Sequence, residues 1–352
     1  MVPEPGLNTS GQPQQWPAQP PSQPGQWPPA QAEQWPPAQQ WPGPPAAPSA
    51  LPVTPREYHE FFRTPRLRWW KPLAAIALFV AGWFVLTLVI STPVIAIDMA
   101  SGRLDAEAAA RGEIAMTPLV FTVNNVSLAL AIPVAGLTAW AVFGQRPRWI
   151  SSITGGFRWA LFWRFALVAL PLFLLSFGVE VLVNGFPELA WNADSAFLIA
   201  VIALTTPFQA AGEEYGVRGL LARSVGSWFG SSRAGLVVAA LVTSALFTAL
   251  HVAQDPWLNA YYFTVGMVCS VLVWRTGGLE AAVALHVVNN LIGEVTLPFG
   301  DLGTVFDRSA GVAGPWILVQ MAFTVAVAAG MLWLARSRQL PLATAPAHRP
   351  AG

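Results

Sequence analysis

The sequence predicts an all-α fold: a polytopic helical membrane protein with about eight transmembrane helices behind a disordered N-terminal tail. Three observations carry this. The 352 residues are 54% hydrophobic and 11% charged, with a mean hydropathy of +0.48, whereas a soluble domain carries about 25% charged residues. Apolar runs reach the roughly 20 residues that cross about 30 Å of hydrocarbon. Arginines gather in alternate connections between those runs, as cytoplasmic loops do. The net charge of +1 gives no sign of a nucleic-acid partner, and none is expected. Cys269 is the one cysteine, so an intrachain disulfide and a Cys-rich zinc motif are both excluded.

Residues 1–54 are dominated by Pro, Gln, Ala and Trp, with Gln-Trp-Pro recurring at 15–17, 26–28, 34–36 and 40–42. Such a segment cannot bury a core and favours extended polyproline conformations. It reads as a disordered cytoplasmic tail; the repeated Trp also suits a docking arm for a partner or the membrane interface.

Residues 55–194 hold the first three helices. Arg56, Arg63, Arg66, Arg68 and Lys71 beside Trp69 and Trp70 mark the cytoplasmic edge of the first span, about 72–97. That run begins too far into the chain for a usual cleaved signal peptide. A loop at 98–117, acidic on balance, leads to the second span, about 118–143. Arg146, Arg148 and Arg158 precede the third, about 160–183.

Residues 195–298 form the next unit. The fourth span starts near Ser195 and runs into Glu213-Glu214, with Arg218, Arg223 and Arg233 after it on the inside. The fifth covers about 235–253, and Asp255-Pro256 makes an outer turn. The sixth covers about 257–274 and the seventh about 279–298. The unit 299–338 contains an outer loop and the eighth span, about 315–335, closed by Arg336 and Arg338; 339–352 is a C-terminal tail. Both termini then lie in the cytoplasm of a multi-pass protein, placed in a bacterial cell membrane.

An ionised side chain at mid-bilayer costs at least about 2.5–3.5 kcal/mol, so the adjacent Glu213 and Glu214 need a reason. On a helix, Glu214 and Arg218 share a face, while Glu213 points about 100° away. One carboxylate can be neutralised by Arg218 while the other faces a neighbouring helix. His251 follows Phe247 by four residues, and Asn290 follows His286 by four; Asn289 and Glu294 lie nearby. The remaining histidines are His59 and His348. Each pair alone also reads as structure: an interfacial ion-pair cluster, a packed histidine or an interhelical hydrogen bond. Together they are the parts for activating water and holding an oxyanion. In that scheme Glu213 takes the proton from water, and His251 positions the water or a metal. His286 and Asn290 donate to the developing oxyanion of an amide.

Depth poses a condition. From Arg233, His251 lies about 27 Å along a helix, whereas His286 lies only about 10 Å from Leu279. Residues that share a site must be level. The fifth helix therefore begins outside the hydrocarbon, tilts, or follows an in-plane segment. The amphipathic, Ser- and Gly-rich stretch 224–233 around Trp228-Phe229 favours the last.

Glu213-Glu214-x-x-x-Arg218, then Phe247-x-x-x-His251, then His286-x-x-x-Asn290, in that order on three spans, resembles the CPBP family. These are the CAAX-protease and bacteriocin-processing (Abi) intramembrane endopeptidases. The Arg275-Thr-Gly-Gly-Leu lead-in is also similar, and the likeness covers roughly 195–298. It implies hydrolysis of a peptide bond near the membrane surface, with membrane lipid and a protein or peptide substrate as partners. By the resemblance Glu213 is the general base, Glu214 and Arg218 its supports, Phe247 a structural support, and His251, His286 and Asn290 the remaining site residues. Members are called metalloproteases, yet a metal-free glutamate mechanism has been argued. Glu213, His251 and His286 resemble a two-His-one-carboxylate set for a divalent metal such as zinc, without the His-Glu-x-x-His helix. Both mechanisms stay open.

Other classes fit less well. Gly230-Ser231-Ser232-Arg233 lacks the last Gly of a rhomboid-like motif, and paired intramembrane Asp residues are absent. A transporter also uses intramembrane Glu and His but more often shows internal repeats, which this sequence lacks. A non-catalytic immunity or scaffold protein binding through its tail is the alternative.

Overall fold

The computed structural model describes residues 47–111, 113–186 and 188–346. The Gln-Trp-Pro repeats and His348 lie outside the described residues. The helices long and apolar enough to cross a membrane number eight among those described. They are α1 (Lys71–Ala100), α2 (Pro118–Phe143), α3 (Trp159–Asn184), α4 (Ser195–Gly226), α5 (Ser232–Leu250), α6 (Pro256–Thr276), α7 (Glu280–Phe299) and α8 (Ile317–Ser337). Large apolar side chains such as Leu167, Leu182 and Leu204 face outward, a surface suited to lipid rather than water. The strands among the described residues are β1 (Arg56–Glu57) and β2 (Ala343–Thr344), paired antiparallel.

The greatest departure from the expected spans is α4. It does not stop at the carboxylates but continues through a π-helical stretch, Tyr215–Leu221, to Gly226. Arg218 and Arg223, expected on the connecting loop, are instead fully enclosed. A strap before α1 makes this possible. Tyr58, Phe61 and Phe62 are buried, and the Arg223 guanidinium lies 3.7 Å from the centre of the Tyr58 ring. Arg223 Nη1 also donates to the Trp149 carbonyl at 2.8 Å. Aromatic faces and a carbonyl thus replace the water that a loop arginine would have. The compact unit that holds the helices begins at Pro48, whose carbonyl accepts from Arg66 Nε at 2.6 Å.

Residues 227–231 form a turn between α4 and α5, not a helix of their own. The depth mismatch has its answer at α7. Residues 276–288 are all buried, so Leu279 does not mark a surface. Segment 148–158 covers this end: Leu279 N donates to the Ser151 carbonyl at 2.9 Å, and Arg158 pairs with the buried Glu280 at 2.6 Å. The glycines of the Arg275-Thr-Gly-Gly-Leu stretch serve this junction. Gly277 ends α6 at φ 64°, a left-handed conformation that glycine adopts without strain.

Helix α2 is broken at Leu130 into Pro118–Ala129 and Ala131–Phe143. Pro133 has no N–H to give the Ala129 carbonyl, which accounts for the break. Trp83 Nε1 donates to the Ser127 carbonyl at 2.7 Å. Gly212 nests on the next carbonyl: a Cβ there would stand 2.0 Å from Leu128 O. The kink in α2 and the missing side chain at Gly212 together fix how α4 presents Glu213 and Glu214.

Two outcomes follow from this packing. Gly212→Ala should push α4 off α2 and cost about 1–3 kcal/mol, read as a lower melting temperature in detergent. The second concerns His59, whose Nε2 lies 2.9 Å from the Ser232 carbonyl. Burial pulls its pKa below the ordinary imidazole value, against the opposing pull of Ser232 and Glu57. The unfolded chain therefore takes up a proton at a pH where the folded strap does not. The contribution is intact above about pH 6.5 and is lost as pH falls below it. Melting curves between pH 7 and 5 should show that loss, and His59→Gln should flatten it.

Candidate active site

The site is built where α4 and α7 lie side by side in opposite directions. Glu213, Gln209 and Thr206 occupy one face of α4, and His286, Asn290 and Glu294 one face of α7. They meet in three successive rungs. Glu213 Oε2 is 3.7 Å from His286 Nε2. Asn290 Nδ2 donates to Gln209 Oε1 at 3.0 Å. Thr206 Oγ1 donates to Glu294 Oε2 at 2.7 Å. Along α4, Gln209 Nε2 also donates to Glu213 Oε1, so the first two rungs are joined.

Behind the first rung sits a fully buried group. Glu214 Oε1 accepts from Arg218 Nη1 at 2.8 Å and faces His286 Nδ1 at 3.0 Å. Arg218 Nη2 donates to the Gly266 carbonyl of α6 at 3.0 Å. The Phe247 ring lies 4.7 Å under the same guanidinium, and Cys269 is buried beside Glu214. Phe247 also turns its ring toward His251 and His286, at 4.6 and 5.8 Å between centroids.

His251 caps the end of α5. Its Nδ1 lies 2.7 Å from the Phe247 carbonyl; a carbonyl only accepts, so Nδ1 carries the proton. In the neutral ring Nε2 is then the nitrogen that carries the lone pair. Tyr262 of α6 stacks on the imidazole at 3.8 Å and fixes its plane.

A cavity of about 880 Å³ opens on this group. Glu213, His251, His286 and Asn290 line it together with Tyr261 and Tyr262. Glu214 and Arg218 stay behind the wall. The structure thus brings all the residues singled out in the sequence to one place, with one carboxylate facing the cavity and one tied to arginine. Sequence reasoning missed Gln209, Thr206 and Tyr262. The signal for the first two was readable: Thr206, Gln209 and Glu213 repeat at helical spacing in an otherwise apolar run.

The donor chemistry of Glu213, His251 and His286 is suited to a divalent metal, but their spacing is not. Among the described residues, the group of three whose ligand atoms all come within 4.8 Å of one another is Glu57, His59 and Glu60. Ligands of one zinc ion lie about 2.0–2.2 Å from it. The cavity residues as placed do not converge to that distance, and no chemical step is derived through a metal.

Arg218 is the partner that keeps Glu214 charged and buried. Arg218→Ala should cost about 3–5 kcal/mol, because it strands a carboxylate without its counter-ion. A melting temperature in detergent equal to that of the wild type would remove the pair from its structural role.

Comparison with known proteins places the site residues inside a matched segment. Residues 194–292 match the family model described as type II CAAX prenyl endopeptidase Rce1-like. The chain is also similar to the uncharacterized protein YyaK of Bacillus subtilis (strain 168), 24% identical over 212 residues, covering 55% of this chain and 69% of the relative. No solved structure matches. The Rce1-like family implies CAAX-type intramembrane protease activity. The segment that supplies Glu213, Glu214, Arg218, Phe247, His251, His286 and Asn290 is the one that matches the Rce1-like family model, within an integral membrane protein.

Proposed function

We propose that the protein is an intramembrane endopeptidase in which Glu213 activates the hydrolytic water. The observation that carries this is the division of the two carboxylates: Glu213 lines the cavity, while Glu214 is enclosed with Arg218. A water in the cavity can give one hydrogen to Glu213 and the other to Nε2 of His251. Its oxygen lone pair is then left to attack a peptide carbonyl. Glu213 takes the water proton as the new C–O bond forms.

The resulting oxyanion needs donors. Asn290 uses one N–H on Gln209 and has a second available. His286, held at Nδ1 by Glu214, presents Nε2–H to the same region as an imidazolium. Glu213 then returns the proton to the departing amide nitrogen. The C–N bond breaks and the remaining hydroxyl proton passes to the released amine, leaving a carboxylate and an ammonium group. Gln209 acts through Glu213 and Asn290 and is a positioning residue.

The substrate would be a protein or peptide segment near the membrane surface, entering a cavity with aromatic walls. We also place both termini in the cytoplasm of a bacterial cell. The β1–β2 pairing supports a common side, since it brings residues 56–57 and 343–344 together.

The test compares protein termini by mass spectrometry in membranes from cells carrying the wild type, Glu213→Gln or His251→Ala. Termini made only by the wild type are expected. Purified variants should lose at least about 10²-fold in cleavage with melting temperatures close to the wild type. Cleavage retained by both variants would sink the assignment.

A further inference from the structure

The third rung of the α4–α7 ladder is not used by the chemistry above. Glu294 lines the same cavity as Glu213 and His286. Its Oε2 accepts from Thr206 Oγ1 at 2.7 Å, and Thr206 accepts in turn from Asn125 Nδ2 at 3.2 Å. The carboxylate is therefore held in place by neutral groups. Its Oε1 takes no hydrogen bond from any described residue, and no Lys, Arg or His nitrogen of the described residues lies within 4.0 Å. Arg308 lines the cavity too, but it lies over the Tyr262 and Phe306 rings at 5.8 and 5.6 Å. A carboxyl group on the wall of this cavity, with no cation of the described residues within ion-pair distance, lacks a direct partner for its charged form. A cation brought by a ligand would supply one.

Its position says which part of a ligand. His286 and Glu294 are separated by eight residues on one helix face, or about 12 Å along the axis. An extended peptide covers that distance in three or four residues at about 3.3–3.6 Å each. We infer that Glu294 is a specificity subsite for a Lys or Arg side chain of the substrate, within about four residues of the bond that is cut. This rests on the endopeptidase reading.

The experiment adds Glu294→Gln and Glu294→Asp to the comparison of membrane protein termini. Sites cut only by the wild type should be enriched in Lys or Arg at one position within four residues of the cut. Glu294→Gln should still cut, but lose cleavage of those sites about tenfold relative to the rest. Glu294→Asp, which keeps the charge, should retain the preference. A second arm needs no enzyme variant: a synthetic peptide copying one such site is given to the purified wild type with its Lys or Arg intact or replaced by Gln. The replaced peptide should be cut about tenfold more slowly. Equal site preferences in wild type and Glu294→Gln, or equal cleavage of the two peptides, would overturn the subsite and leave the endopeptidase standing. Termini that do not differ between wild type and Glu213→Gln would overturn the endopeptidase reading and the subsite with it.

Discussion

Glu214 and Arg218 meet at 2.8 Å with almost no exposure on either side. Two charges taken from water to the interior of an apolar bundle cost several kcal/mol each before their attraction is counted. The pair is held further by partners from three other elements. Helix α7 sends His286 to Glu214, α6 offers the Gly266 carbonyl, and α5 lays Phe247 under the guanidinium. Four helices are thereby referenced to one point. That registration brings His251, which shares a turn with Phe247, to the same cavity as Glu213.

The rungs between α4 and α7 extend this logic. In hydrocarbon there is no competing water, so a polar side chain on either helix has to find its partner on the other. Each individual bond contributes modestly, since polar contacts between membrane helices average well under about 2 kcal/mol. Their joint effect is on register. A slip of one residue along α7 would separate His286, Asn290 and Glu294 from their partners at once. The ladder fixes the height of the cavity-facing carboxylate relative to the imidazoles more firmly than apolar packing could.

Much of this was legible in the sequence, for physical reasons that can be named. Apolar runs and arginine placement located the helices because the bilayer imposes length and polarity directly. The motif residues stood out because charge is rare in such runs. What stayed hidden is long-range. The enclosure of Arg223 depends on Tyr58 and Trp149, far away in sequence, and nothing local distinguishes it from a loop arginine. The depth of α7 depended on segment 148–158 folding over its start. Gln209 looked like one more helical polar residue until its position between Glu213 and Asn290 was known. The different surroundings of Glu213 and Glu214 were the exception: the angle between neighbours on a helix was enough to anticipate them.

The pairing of β1 with β2 bears on how the protein comes to be made. The strap that encloses Arg223 is synthesised before α1, whereas its strand partner at 343–344 follows α8. Until the eighth helix has been inserted, the edge of β1 has no neighbour. The two strands therefore join only after every helix that lines the cavity has emerged.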